Sequence, residues 1–520
     1  MTRLVLIILT TIFFTSCAQI QTNNLASGKV FDIHETNLAA LHNAIQDKVA
    51  NCEQITRAYI KRIKNHDKPT GINSIILINP NALKRARQLD KHFEQTGTQK
   101  ALHCAPVILK DNFDTADMPT EAGAIALKGS IPPDDAFMVK KLRDAGAIII
   151  AKSNMAEWAF SPYQTISSTH GVTRNAYDTT TVPAGSSGGT ASAIAANFGI
   201  IGMGTDTGNS IRGPASHLAL VGIRSTIGAT SRDGVVPLLL NRDIAGPLTR
   251  TVEDAAKTYN VIAGFDPNDP STIVIKDKPV KNYTKFLKKD GLKNVRLGLL
   301  RQLYDTVKSD PEYMALMDLA IKDLEAAGAT IVDPFKIDNF ETLRKATGFC
   351  SRFRFDLNNY LQSLGTNAPV ANFEEILVRK LFDKRNIGAM NWASAVNVRP
   401  EEQEPPCVDV AGDSRRSSFL NAVLSAMVKY KVDAIIYPSW SNPPRKIGDT
   451  KSAHGNNSPV IAPHTGQPAI TVPMGFNKNG LPAGLQILGA PFDEHKLFQY
   501  AYAYEQFKRH RKPPVLTLKQ

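Results

Sequence analysis

Along residues 38–64, LAALHNAIQDKVANCEQITRAYIKRIK, apolar positions recur at helical spacing with a break near Asn51, which predicts two helices, the second capped by Asn51. The period then changes. APVIL (105–109) and AIIIA (147–151) are short apolar runs with no polar interruption, the pattern of strands buried on both faces, and they are followed by Lys110 and Lys152. Between them FMVKKLRDAG (137–146) predicts a crossover helix, so the three segments form a β-helix-β unit. TASAIAANF (190–198) reads as a helix of small residues able to pack closely on a sheet, and IIGMGTD (200–206) as a strand entering a loop at 207–210.

Further on, strands are predicted at 295–300, 329–333, 432–437, 469–473 and 483–489, a helix around 311–327, and a last helix over 493–509 ahead of Pro513. No internal repeat, low-complexity block or linker divides the chain. Length alone suggests two or three domains, but the unbroken alternation supports one large α/β domain over 28–515, with a parallel or mixed β-sheet.

Composition changes this picture little, since 42% hydrophobic and 21% charged residues are ordinary for a globular protein. The first residues add more. MTRLVLIILTTIFFTSC (1–17) has one Arg, an apolar run too short to span a bilayer comfortably, and small residues near Cys17, the layout of a secretory signal. Phe14-Thr15-Ser16-Cys17 also resembles a bacterial lipobox, with Phe14 in place of the usual Leu. The expectation is export to the bacterial cell envelope, with Cys17 acylated as a periplasm-facing membrane anchor; cleavage after Ala18 is the competing outcome. Export leaves little access to nucleic acid, so the net charge of +13 is read as a solvated surface or one facing anionic lipid. Cys52, Cys104, Cys350 and Cys407 would remain after processing; they show no C-x-x-C or zinc spacing, and buried free thiols compete with disulfides.

PAGSSGGTASAIAANFG (183–199) carries the densest chemistry. A flexible linker does not run straight into an Ala-rich helix. A phosphate loop lacks its Gly-Lys-Ser/Thr, and the polar lead-in TRNAYDTTTVP also counts against a nucleophile elbow at Ser187, which needs an apolar strand. Taken with GTDTGNSIRGP (204–214) and VILKDN (107–112), the run resembles the amidase signature family, and the 24 positions between Ser186 and Ser210 match that family's spacing.

The resemblance implies a mixed β-sheet flanked by helices on both faces and hydrolysis of a carboxylic amide without metal or cofactor. It makes Ser210 the nucleophile, Ser186 the bridging serine preceded by a cis peptide, and Lys110 the base. Thr207, Gly208, Asn209 and Ser210 would form the oxyanion loop, with Ser187, Asp206 and Arg212 in support. Asn209 departs from the family's Gly-Gly-Ser; Asn is among the least penalised residues if that position needs positive φ. Lys can act as a base only when neutral, so Lys110 must be buried. AYAYEQ (501–506) and DGVVP (233–237) look somewhat like peptide amidases. His217 invites a Ser-His-Asp reading, but the family uses no His, and the loop of His170 is placed near the pocket. Two rivals stay in view: a non-catalytic binding lipoprotein and a Ser-His-Asp esterase built on Ser187. The segment around 340–410 is expected to line the pocket.

Overall fold

A computed structural model describes residues 31–279 and 281–518. The signal segment and Cys17 therefore lie outside the described residues. Both N-terminal helices form, Leu38–Gln46 and Cys52–His66, and Asn51 caps the second in a capping box with Gln54.

Among the described residues thirteen strands follow in chain order: β1 (Ile75–Ile78), β2 (Pro106–Lys110), β3 (Ile148–Ser153), β4 (Ile166–Ser167), β5 (Gly171–Val172), β6 (Ile201–Thr205), β7 (Val221–Arg224), β8 (Ala245–Thr249), β9 (Arg296–Leu299), β10 (Thr330–Val332), β11 (Ala434–Pro438), β12 (Ala469–Phe476) and β13 (Pro482–Leu488). Eleven make one sheet in the order β1-β3-β2-β6-β8-β7-β12-β13-β11-β9-β10, and β4 pairs with β5 in a separate ribbon. β2 lies parallel to both β3 and β6, β11 lies parallel to β9, and β8 and β12 run antiparallel to their neighbours, so the sheet is mixed. The solid apolar runs are central because helices cover them; every residue of β2, β3 and β6 is buried.

All eight strands expected from apolar pattern in this sheet form within a few residues of their expected ends. β1, β7 and β8 were not anticipated. β8 reads AGPLT and is paired on both sides, with Pro247 opposite Met203. Pro and Gly within so short a run hide a central strand from pattern reading.

The small-residue helix forms over Gly188–Ala195 with every residue buried. The turn before it needs close approach: a Cβ at Gly185 would lie 2.5 Å from the carbonyl oxygens of Ser161 and Gln164. The segment beyond 340 builds a second apolar cluster in which Phe353, Leu357, Phe373 and Met390 pack on Trp158, Ala159 and Val236.

Candidate functional site

The parallel pair β2 and β6 ends with Lys110 and Thr205 side by side, and ligand sites in open α/β sheets form at such strand ends. Lys110 is fully buried, and its Nζ lies 2.7 Å from Ser186 Oγ and 2.6 Å from Thr205 Oγ1. No carboxylate touches it. Burial pulls its pKa from 10.5 down to about 7, opposed by the more distant Asp243 and Asp206. The Gly185-Ser186 peptide is cis.

Ser210 follows β6 on the loop between that strand and the helix Arg212–His217. Among the described residues, the backbone N–H groups of Thr207, Gly208, Asn209 and Ser210 donate to no protein acceptor, although the loop is almost wholly buried. Four successive donors without a protein acceptor beside a hydroxyl are groups able to stabilise negative charge. Asn209 does not have positive φ, so the conformational reason for tolerating Asn there does not apply. Its side chain instead reaches the Pro162 carbonyl at 3.2 Å and the Gly185 carbonyl at 3.5 Å, joining the neighbours of both serines.

Asp206 and Arg212 pair, as expected. Asp206 Oδ2 accepts from the Ile211 and Arg212 backbone N–H groups and from Arg212 Nε at 3.1 Å. Arg212 also donates to the carbonyls of Gly208 and Ser458. Arg224 closes the cage on the other oxygen of Asp206 at 3.1 Å, a role the sequence did not reveal because β7 was unread. Burial pushes the Asp206 carboxyl up, and the two guanidiniums outweigh it and hold the carboxyl at about 2.

Ser187 braces the site: its hydroxyl donates to the Thr205 carbonyl at 3.2 Å and accepts from the Thr205 N–H at 3.3 Å. His217 is buried against Trp440, ring centroids 4.5 Å apart, and burial lowers its pKa to about 3. It is not bonded to Ser187, so no Ser-His pair exists there. His170 pairs with Glu121 at 2.9 Å and does not line the pocket, contrary to the expectation for its loop. Thr205, Asn112 and Asp243 were also missed. Asn112 Nδ2 donates to Thr205 Oγ1 at 3.2 Å, and Asp243 accepts from Thr207 Oγ1 and from the N–H groups of Leu238 and Leu239. Only their proximity in the fold marks them.

A cavity of about 390 Å³ opens above Ser210. The 207–210 loop forms its floor, and Phe160, Tyr163, Leu238, Phe349 and Trp392 form mostly apolar walls. Phe349, Ala389 and Trp392 come from the 340–410 segment, as expected. Asn456, nine-tenths buried at this cavity, has an Oδ1 without a partner.

Residues 54–498 match the family model described as Amidase. The chain belongs to the amidase family. It is 31% identical over 504 residues to a probable amidase of Arabidopsis thaliana, covering 93% of this chain and 92% of that one. It is 32% identical over 491 residues to one component of the glutamyl-tRNA(Gln) amidotransferase of Pseudomonas aeruginosa, covering 91% and 97%. Among solved structures, the native peptide amidase from Stenotrophomonas maltophilia superposes with a TM-score of 0.82 at 33% identity, covering 93% of this chain and 99% of that one. The protein is thus an amidase, a hydrolase of amide C–N bonds.

Proposed function

We propose that this amidase works through an acyl-enzyme at Ser210, with Ser186 as proton relay and neutral Lys110 as base, releasing ammonia or an amine from a small-molecule or peptide amide. The observation that carries the reading is the buried Lys110 amine, free of carboxylate partners and 2.7 Å from Ser186 Oγ. Lys110 takes the Ser186 proton while Ser186 takes that of Ser210, and the freed Ser210 oxygen attacks the amide carbon. The oxygen of the tetrahedral intermediate draws on the free N–H groups of 207–210, at roughly 3 kcal/mol per essential donor. On collapse the C–N bond breaks and Ser186 protonates the leaving nitrogen, restored by the Lys110 ammonium. Water then attacks the ester through the same relay and leaves a carboxylic acid.

Ser210→Ala and Lys110→Ala are expected to lower kcat by roughly four orders of magnitude. Ser187→Ala should cost about tenfold, the scale of one hydrogen bond. Hydroxylamine trapping of the acyl group should succeed in the wild type and fail in Ser210→Ala. If Ser187→Ala alone abolishes turnover, the nucleophile is misassigned; if the wild type hydrolyses no amide in a broad panel, the binding reading gains.

We also propose export with lipid anchoring at Cys17. Supporting it, all four cysteines among the described residues are paired, Cys52–Cys104 and Cys350–Cys407, which replaces the competing free-thiol expectation. Disulfides persist in oxidising compartments.

A further inference from the structure

Phe349 occupies a stretch with no regular secondary structure, between the helices Phe340–Ala346 and Phe353–Ser363. No backbone ladder holds it, yet its ring reaches the oxyanion loop: a Cβ at Gly208 would lie 3.5 Å from Phe349 Cζ. Three things fix it. The Arg242 guanidinium stacks 4.6 Å from the ring centroid and donates to the carbonyls of Thr347 and Gly348. His464 meets the ring edge-on at 5.1 Å and hydrogen-bonds Arg242 through Nδ1 at 2.8 Å. The next residue, Cys350, is bridged to Cys407, and Asn241 Nδ2 lies 3.6 and 3.7 Å from the two sulfurs.

The bridge therefore ties down the two ends of the segment that also carries Trp392. That residue stands across the same cavity on the helix Ile387–Ser394, whose other face, Met390 and Ala393, is packed into the second apolar cluster. Both residues stay partly exposed, Phe349 by 42% and Trp392 by 38%. Apolar rings left partly uncovered at a reactive hydroxyl gain free energy when an apolar group covers them.

We propose that Phe349 and Trp392 select amides bearing an aromatic or similarly bulky apolar group beside the scissile carbonyl, and that the Cys350–Cys407 bridge sets this selectivity by fixing the Phe349 wall. The inference rests on the Ser210 reading for its kinetic readout only. Reduction would break the S–S bond, yielding two thiols at the expense of a dithiol reductant, and free the wall while Lys110 stays on β2 and Ser186 and Ser210 keep their places on the two loops beside it.

The test compares N-acetyl-phenylalaninamide with N-acetyl-glycinamide, which differ only in a benzyl group. The wild type should favour the aromatic amide in kcat/KM by about tenfold or more, the range of one apolar group in a fitted pocket. Cys350→Ser/Cys407→Ser and Phe349→Ala should each collapse that ratio, mainly through KM of the aromatic substrate. Cys52→Ser/Cys104→Ser, whose bridge does not touch the cavity, should keep it, and thermal melts confirm that each variant is folded. A wild-type ratio near one, or a ratio unchanged without the 350–407 bridge, overturns the proposal. Calorimetric binding of both compounds to Ser210→Ala gives the answer without turnover: hydrolysis retained by Ser210→Ala together with preferential aromatic binding sinks the nucleophile assignment alone, and equal binding sinks the wall.

Discussion

Two lysines stand at the ends of adjacent parallel strands, both fully buried, and only their immediate neighbours separate their roles. Lys152 donates to the Phe113 carbonyl and to Thr120 Oγ1 and sits in the field of Asp111 and Asp114, which oppose the effect of burial. Lys110 faces hydroxyls. A lysine whose folded pKa is depressed is neutral above that value and charged below it, so a base of this kind loses activity as pH falls. With Lys110 at about 7, kcat/KM should rise with pH through neutrality with a one-proton slope. Initial rates between pH 5 and 9 test this; a flat profile across 6–8 would mean that Lys110 is not the titrating base. Both lysines were equally visible in the apolar pattern, since each follows a buried run. Nothing in that pattern distinguished them, because the difference is made by Thr205 and Ser186, brought in from a neighbouring strand and from the Gly-Ser turn.

At the scale of elements, the loop between β6 and the helix Arg212–His217 leaves four N–H groups without a protein acceptor, and the proposed oxyanion role needs that loop held at both ends. Asp206 supplies one end and Arg212 the other, with Arg224 approaching from β7. All three side chains are fully buried, so removing the carboxylate leaves two buried guanidiniums without their counter-charge. Asp206→Asn is expected to cost about 3–5 kcal/mol in denaturant unfolding. In whatever folded fraction remains it should lower kcat more than it raises KM, because the misaligned donors serve the intermediate rather than the ground state. Near wild-type stability and kcat would show that the cage does not hold the loop. The Asp206–Arg212 pair was legible from the motif, whereas Arg224 was not, since VGIR is too short and too glycine-broken to announce a central strand. Likewise the 340–410 segment was placed at the pocket, but no local signal marked Phe349 and Trp392; Phe349 is set by Arg242, His464 and the Cys350–Cys407 bridge, and the helix of Trp392 by the packing of Met390 and Ala393 in the second apolar cluster.

At the scale of the whole molecule, each bridge closes a loop of more than 50 residues, 52 between Cys52 and Cys104 and 57 between Cys350 and Cys407. In the chain-entropy account such loops are worth about 4 kcal/mol apiece. That is a large share of the 5–15 kcal/mol typical of folded proteins, so a chain that depended on both bridges would be ill suited to a reducing compartment. Among the described residues no helix is long and apolar enough to cross a membrane; the proposed anchor is Cys17 in the N-terminal segment. Beside acyl burial, a net charge of +13 adds attraction to anionic lipid. The expected outcome in a bacterial host is palmitate incorporation into the wild type, its loss in Cys17→Ala, and a shift of that variant from the membrane to the soluble envelope fraction. High salt should enhance the shift, because it screens the electrostatic part while leaving acyl burial intact. An unlabelled wild type, or a Cys17→Ala chain that fractionates unchanged, would remove the anchor and leave the disulfides as the support for export.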